Sequence, residues 1–139
     1  MILYTLDTKR KINLIKGFYG TTIATGFCFL FAVIYNRFGH GVESVYMTYM
    51  FLCPLIFGMV FYGMILFIPK SRDMSRFTFN LYNSGIATLT IGSMLRGIFE
   101  IAGTASKLVI VYGILGSILM AIGFITYFTY KSKNGNIKG

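Results

Sequence analysis

Two pairs of side chains able to bind a ligand stand out in a sequence that is only 12% charged. Arg96 and Glu100 are one helical turn apart, and His40 and Glu43 lie in a short polar segment. A guanidinium group binds a carboxylate or phosphate through parallel hydrogen bonds, so Arg96 is a candidate clamp for an anion. The alternative is an interfacial anchor, in which the long side chain carries its charge to the headgroups. We treat Arg96, Glu100, His40 and Glu43 as candidate ligand-binding residues.

Neither a metal centre nor a catalytic nucleophile is predicted from the remaining reactive residues. A metal needs three or four ligands, whereas His40 and Glu43 have one obvious further partner, Glu100. Cys28 and Cys53 form no CxxC motif, and we interpret them as small packing residues whose similar depth leaves contact between them open. The sequence contains no phosphate-binding loop, nucleophile elbow, zinc-protease motif or dinucleotide fingerprint. We therefore predict no catalytic residue, no metal and no cofactor.

The elements that must position these side chains are long apolar segments. Hydrophobic residues make up 55% of the chain, and four stretches contain no charged residue: 17–36, 45–68, 77–95 and 108–130. At about 1.5 Å per residue, each makes a helix long enough to cross a hydrocarbon core of about 30 Å. The sequence therefore predicts an all-α, polytopic membrane protein. It would be a four-transmembrane-helix bundle in a single domain, 1–139, with helices at about 14–36, 45–68, 77–99 and 107–130.

Basic residues predict the orientation of this bundle, because Lys and Arg concentrate in cytoplasmic segments. Three of the thirteen would lie outside, namely Arg37, Arg96 and Lys107. The other ten would lie inside: Lys9, Arg10, Lys11, Lys16, Lys70, Arg72, Arg76, Lys131, Lys133 and Lys138. We therefore expect a multi-pass protein of the cell membrane with both termini in the cytoplasm. The net charge of +9 indicates contact with anionic headgroups on the cytoplasmic side and not with nucleic acid.

Small residues recur at helical spacing along three of the four predicted helices. Helix contacts in lipid depend on close approach at such residues. The predicted packing residues are Gly17, Thr21, Ala24 and Cys28 in the first helix, Gly85, Thr88 and Gly92 in the third, and Gly113 and Ser117 in the fourth. A narrow polar pathway at an oligomer axis is the alternative interpretation. In the second helix, Pro54 predicts a bend because it lacks the N–H that would bond to Met50.

No ionisable residue lies near the midplane of any predicted helix. Such residues are typical of proton relays and coupled transport, so a carboxylate-coupled transporter is disfavoured. One hypothesis is a non-enzymatic membrane protein, a homo-oligomer or a subunit beside another membrane protein, that forms or assists a permeation path. The alternative is an enzyme or binder that acts on a lipid or small amphiphile at the outer interface. Convergence of Arg96, Glu100, His40 and Glu43 into one pocket would favour the alternative.

Overall fold

Every regular element in the described part of the chain is a helix. The computed structural model describes residues 12–39, 41, 43–68 and 74–135, with side chains as far as residue 129. Its elements are α1 (Ile12–Phe38), α2 (Val45–Tyr49), a π-helical segment (Cys53–Val60), α3 (Phe61–Phe67), α4 (Arg76–Ile101) and α5 (Val109–Gly135). The fold is therefore all-helical, and no strand occurs among these residues.

Three helical stretches of the described chain are long and apolar enough to span a membrane: Ile12–Phe38, Val45–Phe67 and Val109–Thr129. The stretch Val45–Phe67, called the second span below, combines α2, the π-helical segment and α3. α4 has 26 residues, so its length also suffices, but polar residues such as Asn80 and Asn83 lower its mean hydropathy. The helix bounds lie within two residues of the predicted ones, except that α5 ends five residues later.

Pro54 changes the hydrogen-bonding pattern of the second span. Proline has no N–H to donate, and the carbonyl of Met50 accepts from Cys53 N instead, at 3.2 Å. The chain then continues as the π-helical segment, a local irregularity typical of sites where a helical hydrogen bond is lost. At the position of the predicted bend, the structure therefore has a change of helix type. The buried Gly58 of this segment faces Thr21 of α1.

The helices pack in chain order, each antiparallel to the next. α1 packs on the second span, where Gly17 meets Tyr62, and the second span packs on α4, where Met47 meets Gly97. α4 and α5 form the most extensive contact, while α1 touches α4 over a short stretch. Contact between α1 and α5 is marginal at most among the described residues. The four helices therefore form a row with a groove on each side.

Two apolar clusters stabilise this row, one toward each end of the helices. The buried members of the first cluster are Leu14, Tyr62, Ile65, Met74, Tyr82, Ile86 and Tyr127. The second cluster surrounds Cys28, Met47 and Met50, with Met94 and Ile98 packed against it. Since Leu14 and Tyr127 share the first cluster, α1 begins at the same end of the molecule at which α5 ends.

At the helix interfaces, a residue of one helix packs directly against a glycine of the neighbouring helix. A Cβ placed on Gly116 would lie 2.7 Å from Leu89 Cγ, and one on Gly85 would lie 2.6 Å from Met120 Cγ. Further contacts of this kind are Gly17 with Tyr62, Gly58 with Thr21, Gly97 with Met47, and Gly123 with Tyr82. Atoms do not approach this closely, so a side chain at these positions would push neighbouring helices apart.

Most of the predicted packing residues in the first and third helices lie at these interfaces. The buried ones are Gly17, Thr21, Cys28, Gly85 and Gly92. Ala24 is exposed and Thr88 is half-buried, and the Thr88 hydroxyl donates to the carbonyl of Ser84 at 2.7 Å. Ala24 is therefore not a packing residue within the chain, because the face that carries it points into a groove.

In α5 the interface residues differ from the predicted ones. A Cβ at Gly113 would meet nothing within 4 Å, and Ser117 is exposed. Gly116 and Gly123 instead face α4, since a Cβ at Gly123 would lie 3.0 Å from the backbone of Tyr82. The predicted and observed interface residues of α5 differ in helical phase. Small residues occur on two adjacent faces of α5, and their spacing in the sequence does not show which face packs on α4.

Several large apolar side chains of α1 are exposed on the surface of the protein. Ile23, Phe27 and Leu30 are 72, 68 and 61% exposed. Their spacings of four and three residues place them on one face of the helix. An apolar face of this size is unfavourable in water, and it is compatible with contact to lipid hydrocarbon.

We expect Gly116→Ala to destabilise the protein and Gly113→Ala to leave it as stable or more stable. The new Cβ at position 116 would lie 2.9 Å from the backbone N of Leu89, so α4 and α5 must separate. Such overpacking costs about 1–3 kcal/mol. At position 113 the new methyl group meets open space and gains helix propensity of at most about 1 kcal/mol. Thermal unfolding in detergent measures both variants, and equal unfolding temperatures would contradict this packing.

Candidate functional site

Arg96 lies near the end of α4, against the start of the second span. Its guanidinium carbon is 4.1 Å from the ring centroid of Tyr46 in α2. A cation over the face of an aromatic ring gains about 0.5–2 kcal/mol, depending on how far it is removed from water. The ring therefore fixes the position of a guanidinium group that is otherwise exposed.

Glu100, one turn after Arg96, is connected to the same short helix. The Ser44 hydroxyl donates to Glu100 Oε2 at 2.5 Å, and Ser44 Oγ accepts from the backbone N of Met47 at 3.4 Å. Ser44 is 1% exposed and is the N-cap of α2. One buried hydroxyl thus joins the start of α2 to the end of α4. Charge-assisted bonds of this type are stronger than neutral ones.

Arg96 and Glu100 therefore have separate partners on the segment 44–46. Their spacing of four residues would allow these two side chains to pair, but no ion pair between them is present in the described structure. This arrangement leaves the guanidinium free to face a ligand, because the neighbouring carboxylate is held by Ser44.

Both side chains line a cavity of about 330 Å³ at this end of the molecule. Lys107, in the connection between α4 and α5, lines it as well, together with Tyr46 and Thr104. The cavity thus has two cations and one carboxylate, and the carboxylate already accepts a hydrogen bond. These charges favour an anionic group.

The cavity continues between the helices as an apolar cleft. A second section of about 570 Å³ shares Tyr46 and Arg96 with the first and is lined by Gly92 and Gly113. A third section of about 530 Å³ shares Leu89 and Ser117 with the second. We call these three adjoining cavities, which share lining residues, the Arg96 cleft. A Cβ at Gly113 would point into open space, and Gly113 and the exposed Ser117 line this section of the cleft.

The Arg96 cleft extends over much of the length of α4. It reaches Tyr82, which is 14 residues before Arg96, so it is about 21 Å long at a rise of 1.5 Å per residue. One leaflet of a bilayer contributes about 15 Å of hydrocarbon. Phe61 and Phe124 line the far section of the cleft, with their ring centroids 5.8 Å apart.

Of the two remaining candidate ligand-binding residues, Glu43 does not contribute to the Arg96 cleft. Glu43 is exposed and does not line it, although its neighbour Ser44 contacts Glu100. His40 lies outside the described residues. The structure therefore brings Arg96 and Glu100 together with Lys107, and not with Glu43.

Sequence reasoning missed Ser44, Tyr46 and Lys107 as site residues. A serine immediately before an apolar helix is a recognisable N-cap, so Ser44 was open to prediction as the start of α2. The position of Tyr46 under Arg96 depends on how α2 packs on α4, for which the sequence has no local signal. The sequence predicts Lys107 as a basic residue of the outer side. Its position beside Arg96 depends on the fold of the α4–α5 connection and has no local signal in the sequence.

Several hydroxyl groups inside the helices have partners in their own backbone. Thr21, Thr25, Thr90 and Ser117 each donate to the carbonyl four residues earlier, at 2.7–2.8 Å. These four hydroxyl groups need no water, which is compatible with lipid surroundings. The hydroxyl of Thr78 in α4 is buried and has no hydrogen-bond partner in the described structure. The thiols of Cys28 and Cys53 are free, and Cys53 Sγ is 3.9 Å from Ser93 Oγ.

Comparison with known proteins identifies no relative. No family model, curated protein or solved structure matches the chain. The function must therefore be inferred from the geometry of the site.

We expect Ser44→Ala to destabilise the protein by about 1–3 kcal/mol, the cost of losing an N-cap and a charge-assisted hydrogen bond. Glu43→Gln is the matched control, because it alters the adjacent exposed residue and leaves both bonds intact. Thermal unfolding in detergent gives the comparison. If Ser44→Ala unfolds at the temperature of Glu43→Gln, the connection between α2 and α4 through Ser44 is wrong.

Proposed function

We propose that this chain is a multi-pass protein of the cell membrane, with four spans and both termini in the cytoplasm. We propose further that it binds an amphiphile with an anionic headgroup at the outer interface. The observation that carries the proposal is the Arg96 cleft, which is charged at one end and apolar along the rest of its length.

The contacts of α4 support it as a membrane span, the third of four in chain order. Its 26 residues correspond to about 39 Å, and it packs between the second span and α5. Two of the polar side chains of α4, Asn83 and Thr90, have partners inside the protein. Asn83 Oδ1 accepts from the Tyr62 hydroxyl at 3.1 Å, and the Thr90 hydroxyl donates to the carbonyl of Ile86 at 2.8 Å. Polar groups satisfied in this way are compatible with lipid.

The antiparallel row supports the proposed orientation. It places the start of α1 and the end of α5 at the same end, which is the end rich in basic residues in the sequence. Arg96 and Lys107 then belong to the opposite, outer end.

Two features of the outer end suit a phosphate or carboxylate headgroup. Arg96 and Lys107 supply two positive charges, and the single carboxylate, Glu100, is engaged by Ser44. The Tyr46 ring covers one face of the Arg96 guanidinium. The N–H donors at the edge of the guanidinium stay available for a planar, two-point contact with the anion.

The remainder of the Arg96 cleft suits a hydrocarbon tail. Its lining is formed mainly by apolar side chains, among them Leu89, Ile114 and Met120. A length of about 21 Å exceeds the hydrocarbon depth of one leaflet, which is about 15 Å, so a long single chain fits along α4. The combined shape is that of a site for one amphiphile, with its headgroup outside and its tail between the second span and α5.

The described lining favours binding without chemical conversion. It contains neither histidine nor cysteine, the Ser117 hydroxyl donates to the carbonyl of Gly113, and Glu100, its carboxylate, accepts from Ser44. Its remaining hydroxyl groups and Lys107 have no described base beside them that would activate a nucleophile. A reaction needs a nucleophile or an acid–base group within hydrogen-bond reach of the substrate. We therefore propose a binding protein and not an enzyme.

The permeation-path hypothesis has less support, and it stays a prediction together with a homo-oligomeric or membrane-protein partner. Hydroxyl groups on α1 and α4 return their hydrogen bonds to their own helices, which leaves them weak ligands for a water-filled path. Both grooves open sideways between helices, where lipid tails are the natural occupants.

We expect lysophosphatidylglycerol, an anionic single-chain lipid, to bind more tightly than the zwitterionic lysophosphatidylcholine. Arg96→Gln should weaken the anionic ligand about 10- to 100-fold, because a charged hydrogen bond contributes about 1.5–3 kcal/mol. Arg96→Lys should give an intermediate loss, since it keeps the charge without the planar fork. Native mass spectrometry of the detergent-solubilised protein measures the three affinities.

Arg76→Gln is the matched control, because Arg76 is exposed at the opposite end of α4 and does not line the cleft. It should bind lysophosphatidylglycerol as the unmodified protein does. Equal affinity of Arg96→Gln and the unmodified protein, or equal affinity for the two lipids, would contradict the proposed site.

A further inference from the structure

A second groove lies on the other side of the row, between α1 and α4. It has a volume of about 460 Å³, and Met50 and Pro54 of the second span line it between the two helices. We call it the Lys16 groove. It shares no residue with the Arg96 cleft, so it is a separate site.

Polar groups gather at one end of the Lys16 groove. Lys16, near the start of α1, is exposed and lines it, and Asn83 lines it from α4. Among the described lining residues Lys16 is the one charged side chain, and none is a carboxylate. No carboxylate of the described lining therefore neutralises the positive charge at this end.

The orientation of Asn83 is set by a buried contact. Gly17 has no side chain, so the ring of Tyr62 packs directly on α1, within 2.9 Å of the position that a Cβ would take. The Tyr62 hydroxyl, at the edge of that ring, donates to Asn83 Oδ1 at 3.1 Å. With its oxygen engaged, Asn83 presents its NH₂ group as the polar function available to a ligand in the groove.

The rest of the Lys16 groove is apolar and runs along the helices. On α1 it extends from Gly17 to Phe31, which is 14 residues or about 21 Å at 1.5 Å per residue. Ile91 and Met94 line it from α4 near the far end. The groove therefore has its charge at one end and hydrocarbon surface beyond it, with the opposite polarity to the Arg96 cleft.

We propose that the Lys16 groove holds one anionic phospholipid of the cytoplasmic leaflet. Its phosphate contacts Lys16 and the NH₂ group of Asn83, and one acyl chain lies along α1 and α4. The assignment to the cytoplasmic leaflet rests on the proposed orientation. Charge favours a lipid over a second copy of the chain, because a second copy would bring a basic end against Lys16.

Two glycines of α1 allow a matched test. A Cβ at Gly20 or at Gly26 would meet nothing within 4 Å, so leucine at either position leaves the helix contacts intact. Gly20 lines the Lys16 groove and Gly26 does not. The full-length protein is reconstituted in nanodiscs of phosphatidylcholine with 20% phosphatidylglycerol (about one lipid in five), then extracted into mild detergent, and retained lipids are counted by native mass spectrometry.

We expect the unmodified protein and Gly26→Leu to retain phosphatidylglycerol above its share of the bilayer. Gly20→Leu should lose most of the retained lipid of either kind, because leucine fills the groove. Lys16→Gln should keep lipid but lose the preference for phosphatidylglycerol. Thermal unfolding confirms that each variant is folded.

Retention of phosphatidylglycerol by Gly20→Leu at the level of Gly26→Leu would overturn the proposal, as would an unchanged preference in Lys16→Gln. Gly20→Leu separates this site from the Arg96 cleft, because Gly20 does not line the cleft. It should lose retained phosphatidylglycerol while its preference for lysophosphatidylglycerol over lysophosphatidylcholine stays that of the unmodified protein.

Discussion

The fold depends on the close approach of neighbouring helices at glycine. Inside a bilayer, apolar burial does not drive helices together, so contact rests on van der Waals packing at short distance. Thr21 against Gly58, Met47 against Gly97, and Leu89 against Gly116 fill the space that a side chain would occupy. These contacts join each helix to the next one along the chain, and they set the order of the row.

Both proposed binding sites follow from this order. A closed bundle would bring α1 against α5, whereas in the row their contact is marginal at most among the described residues. One cleft therefore opens between the second span and α5, and one groove between α1 and α4. Their charged ends are opposite, with Arg96 at one end of the molecule and Lys16 at the other. α4 lines both, with Asn83 and Thr90 in the groove and Ser93 and Arg96 in the cleft.

The helices and the pair Arg96 and Glu100 could be predicted from the sequence, because long apolar runs and a spacing of four residues are local signals. The choice between Gly113 and Gly116 could not. Both lie on small-residue faces of α5, and the face that meets Leu89 depends on the helical phase set by packing. The contact between Tyr46 and Arg96 could not be predicted for the same reason. Its place under Arg96 requires the turn from α2 into the π-helical segment, which brings α2 against the end of α4.

The most direct test of the Arg96 cleft is photolabelling with a single-chain anionic amphiphile that carries a diazirine at the end of a long acyl tail. If the headgroup lies at Arg96 and the tail follows α4, mass spectrometry should find the adducts at the far end of the cleft, on Phe61, Met64 and Phe124. Adducts concentrated instead on Ile23 and Leu30, which are exposed on α1 and line neither site, would show that the amphiphile acts as bulk lipid and would contradict the site.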